Sequence, residues 1–323
     1  MVRRTSWLSV CFAAAVVLIP STGAVAGPVR SAGTVDGIVE ALNRHGGPPG
    51  TAWGVDASGH VTIFVEAGAA AGPTDALLGY AARFGSAIRV TRLPAEPASG
   101  AELVARSDAA AAVAVTTLRA GDGIVASGLG GTVLCSAGFP VITSNPTPPP
   151  PYAPNRVLTS GQCSSVFPGW YVGSISGPFL GSTAVAAFPR TDYGVIAKSA
   201  SVPAISAVNL YNGTTRPIYS SGDPFMNRPV CFAGVGSGYR CGKIVGTNMT
   251  VNYGSGGTSA VVYGLAAVNL CTKNSDRGGP VFDGNTAVGL VSRVGVCVIS
   301  PFSYVQPVRP AMQANGLFFP PAS

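Results

Sequence analysis

The chain has 323 residues, a net charge of +7, 43 glycines and only 10% charged residues. This balance excludes a disordered chain and favours a compact, turn-rich, mostly β protein. Lys and Arg never cluster with interleaved aromatics, which excludes a nucleic-acid partner, and beyond the N-terminus no apolar run is long and unbroken enough to span a bilayer.

In chain order, Arg3 and Arg4 precede an apolar run over 7–19, and Ala24-Val25-Ala26 follows. This is the pattern of a secretory signal over 1–26, cleaved after Ala26, so the mature protein is expected outside the cell. The twin-arginine reading of Arg3-Arg4 is the weaker alternative. Residues 27–120 form a first unit, an α/β leader. Positions 35–42 carry a helical apolar spacing, and 53–65 reads as two short strands around an Asp56-Ala57-Ser58-Gly59 turn. An alanine-rich helix near 74–84, a strand near 87–91, a second alanine-rich helix over 101–115 and a linker over 118–123 complete it.

The texture changes for residues 121–323. Short β-branched runs are punctuated by Gly, Ser, Asn and Pro, as in all-β domains. The proline-rich stretch 145–155 cannot pair as a central strand and is read as a stiff hairpin loop, with docking to a proline-recognition module as the alternative. A C-terminal helix is expected over 308–315, closed by Gly316 and Pro320. From Asp122 onward eleven Lys/Arg face five Asp/Glu, while 27–119 is nearly neutral. Such mild basicity suits an anionic cell-envelope polymer.

Of seven cysteines, Cys11 leaves with the signal; Cys135, Cys163, Cys231, Cys241, Cys271 and Cys297 remain. An even number in an exported chain implies disulfides, with fifteen pairings open. A zinc site is disfavoured, because there is no Cys-x-x-Cys pair and no histidine follows His60. No metal and no cofactor are expected.

Two motifs carry the chemistry. Cys271-Thr-Lys-Asn-Ser-Asp-Arg-Gly-Gly-Pro280 resembles the Gly-Asp-Ser-Gly-Gly-Pro loop of chymotrypsin-like serine proteases, with Arg277 at the nucleophile position. Thr159-Ser-Gly-Gln-Cys163 resembles that family's Thr-Ala-Gly-His-Cys segment, with Gln162 at the general-base position. Together with Cys135-Ser-Ala-Gly-Phe-Pro-Val141, Asp192-Tyr-Gly-Val-Ile196, the run from Val230 to Ile244, Asn248–Tyr253 and Tyr304-Val-Gln-Pro-Val308, they resemble the secreted actinobacterial proteases of the streptogrisin and alpha-lytic type, over 124–319. The resemblance implies an all-β fold of two packed six-stranded antiparallel barrels with a cleft between them and a C-terminal helix. It also implies disulfides Cys135–Cys163, Cys231–Cys241 and Cys271–Cys297, and a pro-domain in the leader, centred on 53–56.

The same resemblance assigns Asp192 as the orienting carboxylate, intact beside the altered Gln162 and Arg277. A glutamine amide does not accept and return a proton near neutral pH, and an arginine has no nucleophilic character. Ser275, Asp276 and Gly278 fall in the oxyanion loop. Ser275 stands at a glycine position, which puts the turn in question, and Asp276 is assigned a structural contact. Ser292, Arg293, Val294 and Gly295 replace a glycine-rich substrate-pairing segment, and the side chains of Arg293 and Val294 are expected to obstruct its pocket. Arg277 is expected to reach Asp192 directly or through Gln162. The reading is a secreted, monomeric protease homologue without activity that binds a protein, peptide or envelope polymer. The alternatives are an unconventional peptidase using Ser275 beside Lys273, and an inert decoy for protease inhibitors.

Overall fold

The computed structural model describes residues 33–94, 117–128, 131–143, 153–254, 259–294 and 302–321. The expected signal, the helix expected over 101–115, most of the proline-rich stretch, Gly295 and Cys297 lie outside the described residues.

The N-terminal unit is α/β. Helix Val35–His45 begins where the Thr34 hydroxyl accepts from Gly37 N and ends at Gly46, whose φ of 76° favours glycine. Its apolar face buries Ile38, Val39 and Leu42 against Trp53, Ile63 and Leu77. Strands Thr51–Asp56 and Val61–Glu66 pair antiparallel. The turn between them is held by the Asp56 carboxylate, which accepts from the Ser58 and His60 amides and the Ser58 and Thr62 hydroxyls. Helix Ala71–Ala81 then leads to strand Ile88–Leu93, which pairs parallel with Val61–Glu66.

This unit does not stand apart. Strand Thr51–Asp56 pairs along its other edge with Gly238–Asn252, so three N-terminal strands extend a sheet of the body to ten strands. Gly54 permits the approach: a methyl there would lie 2.4 Å from Met249 Sδ and 2.8 Å from Met249 Cα. Asn43 Oδ1 joins the units by accepting from both Trp53 Nε1 (2.8 Å) and Thr250 Oγ1 (2.7 Å), and Asn252 Nδ2 donates to Gly47 O at 2.8 Å.

The body is all-β in two halves. In the C-terminal half, Pro229–Gly234, Pro280–Asp283, Thr286–Val294, Ser303–Pro307, Val261–Val268 and Gly238–Asn252 pair in that order, and the last pairs back with the first. The N-terminal half is a seven-stranded sheet that does not close on itself. Its edge strand Gly131–Ser136 leads through 137–139 into Pro140–Val141, which pairs with Arg156–Thr159. The expected pair of closed six-stranded barrels is thus one ring and one open sheet. A core of Phe139, Leu158, Phe282, Leu290 and Val308 joins the halves, and helix Val308–Ala314 caps it, ending at Gly316 (φ 58°).

Cys135–Cys163 and Cys231–Cys241 are disulfide-bonded. The expected linker over 118–123 is a correction. Leu118–Ala120 is a strand, parallel to Ala204–Asn209, with Leu118 and Ala120 fully buried. Three residues flanked by glycine show no periodicity in sequence; the long-range pairing decides.

Candidate functional site

The site lies where the two halves meet. Ser160 caps the short helix Gly161–Ser164: its hydroxyl accepts from Gln162 N (3.1 Å) and Cys163 N (3.4 Å) and donates to Asp192 Oδ1 at 2.8 Å. Gln162 N also donates to Asp192 Oδ1, at 2.8 Å. The helix can sit this close to strand Tyr193–Lys198 because Gly194 has no side chain; a methyl there would lie 2.0 Å from Ser164 Oγ.

Asp192 is fully buried. Its Oδ2 accepts from Ser292 Oγ at 2.6 Å, Ser292 in turn is hydrogen-bonded to the buried Tyr253 hydroxyl, and the Asp192 amide donates to Gln306 Oε1. Burial pushes the Asp192 pKa above the usual carboxylate value, against the hydrogen bonds from Ser292, Gln162 N and Ser160 and the field of Arg277.

Gln162 and Arg277 are brought to this carboxylate, but not as expected. Among the described residues no ion pair joins Arg277 to Asp192. Arg277 Nη2 instead donates to Asn274 Oδ1 at 3.1 Å, and its Nε is buried without a hydrogen-bond partner, as is Gln162 Oε1. The physical reason is saturation: both Asp192 oxygens already hold strong donors, so a guanidinium gains little by displacing them. Burial lowers the Arg277 pKa, with Asp192 opposing; the group stays cationic.

The loop before Arg277 has a consequential geometry. Asn274–Asp276 is one turn of 3-10 helix, with Asp276 N donating to Lys273 O (2.9 Å) and Arg277 N donating to Asn274 O (3.3 Å). Ser275 does not adopt positive φ. Turning the Asn274–Ser275 peptide outward, as in a type II turn, requires positive φ at 275, which glycine tolerates and serine resists. The Arg277 amide therefore bonds to a carbonyl of its own loop. Neighbours pin this arrangement. Ser275 O accepts from Ser136 Oγ at 3.0 Å, and the fully buried Asp276 accepts from Gly236 N, Ser237 N, Ser237 Oγ and Lys273 N. The Ser275 hydroxyl lies against Gly236, where a methyl would be 2.3 Å away, and among the described residues no hydrogen bond joins it to Lys273. After Arg277, Gly278 takes φ 83° in a space where a methyl would meet Thr159 Oγ1 at 2.2 Å.

Arg293 and Val294 pair with Tyr304 and Ser303, and among the described residues on that side only, because the ladder to Pro280–Asp283 ends at Leu290. The Arg293 guanidinium is turned to the N-terminal unit. It contacts Glu66 at 2.8 and 3.0 Å and Asn252 O at 3.2 Å, and lies 5.2 Å from the centre of the Tyr253 ring. Sequence reasoning missed Ser160, Tyr253, Asn274 and Glu66. A serine two residues before Gln162, as an N-cap, was the only local signal among them.

No family model matches the chain. Among curated proteins it is 36% identical to streptogrisin-A of Streptomyces griseus over 183 residues, 56% of this chain and 55% of that one. It is 38% identical to serine protease 2 of Streptomyces fradiae over 172 residues, 53% of this chain and 91% of that one. Serine protease 1 of Streptomyces fradiae is 29% identical over 314 residues, 93% of this chain and 78% of that one, a span that includes the N-terminal unit. Among solved structures, a glutamic-acid-specific serine protease superposes with a TM-score of 0.55 at 27% identity, covering 63% of this chain and all of that one. An alpha-lytic protease homologue gives 0.53 at 28%, covering 63% and 99%.

Proposed function

The chain belongs to the chymotrypsin-like actinobacterial serine protease family, and from that premise we propose that it is an extracellular member without hydrolytic activity, acting by binding a protein or peptide. Hydrolysis in this family's chemistry needs a hydroxyl nucleophile, a base for its proton and backbone N–H groups free to hold an oxyanion. Arg277 and Gln162 meet neither of the first two needs. The observation that carries the reading concerns the third: the Arg277 amide already donates to Asn274 O.

Inactivity has a consequence for residues 27–120, which we read as a leader like the pro-domain of active relatives. A protein that cannot cut itself keeps its leader unless another protease acts between 95 and 117. The ladder to Gly238–Asn252 then remains part of the fold. The two disulfides of the body, Cys135–Cys163 in the core and Cys231–Cys241 towards the surface, suit an oxidising, extracellular setting.

The test is hydrolysis of casein by the purified full chain, together with labelling by a fluorophosphonate probe. Neither is expected. Cleavage or labelling that disappears in Ser275→Ala would overturn the reading in favour of a new nucleophile.

A further inference from the structure

The Glu66–Arg293 pair reaches beyond leader docking. Arg293 stands on Thr286–Val294, next to Ser292 and therefore one residue from the Asp192 network. Its guanidinium is held in place by Asn252 O and the Tyr253 ring, and its side chain is only 21% exposed. A guanidinium so placed, with most of its hydration removed, needs a carboxylate. The body has none to spare. Its five acidic residues are all aspartates and all are engaged: Asp122 with Arg119 and Asn209, Asp192 with Ser160 and Ser292, Asp223 with Arg309, Asp276 with Ser237, and Asp283 with Arg228. The carboxylate that Arg293 holds comes from outside the body, on Glu66 at the end of Val61–Glu66.

Beside Arg293 the backbone of 292–294 keeps one edge that no strand pairs with among the described residues. An extended peptide can add to such an edge through main-chain hydrogen bonds, with side-chain pockets supplying selectivity. We propose that Arg293 recognises an acidic side chain of an extended peptide lying along 292–294, and that Glu66 occupies this site in cis. The inference rests on the binding role proposed above and names the class of partner: a glutamate-containing segment. The basic excess of the body, eleven Lys/Arg against five Asp/Glu, favours the same sign of ligand. Leader and peptide then compete for one guanidinium, so that the attached leader holds the site closed.

The experiment measures binding of fluorescein-labelled hexaglutamate and hexaglutamine to the native full chain, Glu66→Gln, Glu66→Ala and Glu66→Gln/Arg293→Gln. Both single variants are expected to bind hexaglutamate about tenfold or more tightly than the native chain does, with a marked loss on adding salt, and to ignore hexaglutamine. Adding Arg293→Gln is expected to abolish the gain. A leader that undocks in a Glu66 variant leaves Arg293 just as open, so undocking does not excuse an absence of binding. Equal binding by native and Glu66-substituted chains, or a gain that survives Arg293→Gln, would overturn the site. If the recovered peptide is intact in that case, the inactive reading stands; cleaved hexaglutamate would overturn that reading instead.

Discussion

Placing histidine at 162 and serine at 277 should not by itself give a fully active enzyme. In Gln162→His/Arg277→Ser the base and nucleophile return, but the amide of residue 277 still faces Asn274 O across 3.3 Å. Freeing it breaks one hydrogen bond, about 1 kcal/mol, and forces Ser275 into positive φ, about 1–3 kcal/mol. The sum, about 2–4 kcal/mol, corresponds to roughly 30- to 1,000-fold in rate, which brackets the roughly 100- to 1,000-fold cost of removing one oxyanion donor. Ser275→Gly removes the φ term.

The assay compares kcat/KM on a chromogenic peptide for the double variant and for Gln162→His/Ser275→Gly/Arg277→Ser, with unfolding midpoints measured alongside. The triple variant, relieved of the φ cost alone, is expected to exceed the double by about 5- to 160-fold. Rate-of-labelling by a fluorophosphonate should follow the same order, since that reagent also places an oxygen in the hole. Equal rates in two variants of equal stability would refute the reasoning, because the turn would then be opening at no cost.

Three further outcomes follow from particular contacts. Because burial raises the Asp192 pKa, its ionised form weakens the fold as pH rises from the unfolded value of 3.8 through the folded one. Asp192→Asn should therefore gain stability relative to the native chain between pH 3 and pH 7, and a melting difference that stays constant with pH would count against this. Asp56 behaves oppositely. Burial pushes its pKa up, but hydrogen bonds from Ser58, Thr62 and His60 outweigh burial and hold it at about 2. Its contribution, about 1 kcal/mol after solvent screening, is present above the unfolded value of 3.8 and lost as pH falls through about 2. Amide exchange in 51–66 should thus rise in acid in the native chain and less so in Asp56→Asn. Finally, Gly54→Ala places a methyl on Met249 and should weaken docking by about 1–3 kcal/mol, seen as faster proteolysis of 33–94 with the body left intact.

What the sequence made legible was local or carried by motif. The strand–turn–strand over 53–65 was readable because Asp56-Ala57-Ser58-Gly59 supplies both the turn and the carboxylate that ties it. Gly278 was readable because the loop pattern demanded a glycine, and the structure places it at positive φ against Thr159. The failures share a cause. The need of a shielded carboxylate for a partner put Arg277 on Asp192, but that reasoning could not include the hydroxyls of Ser160 and Ser292, which satisfy the carboxylate from positions 32 and 100 residues away. Glu66 and Arg293 stand 227 positions apart, and nothing in either neighbourhood announces the other. Leu118–Ala120 looked like a linker because its partner strand, Ala204–Asn209, is equally remote.

The reasoning about catalysis and the reasoning about the leader meet in one observable. Strand Gly238–Asn252 carries the leader along 246–251, and a bare edge there would be an opening for aggregation. Arg293 would lose its carboxylate at the same moment. Retaining the N-terminal unit therefore has a structural benefit that does not depend on whether the chain can cleave itself. If the native chain is inactive, it should migrate as a single species containing both units after purification from a host lacking extracellular proteases. The triple variant, given back a nucleophile, a base and an open oxyanion turn, should cut its own chain between 95 and 117. It should then yield a body that binds hexaglutamate without any change at Glu66. Self-cleavage in the native chain would sink the inactive reading. A processed triple variant that still ignores hexaglutamate would spare that reading and remove the Arg293 site.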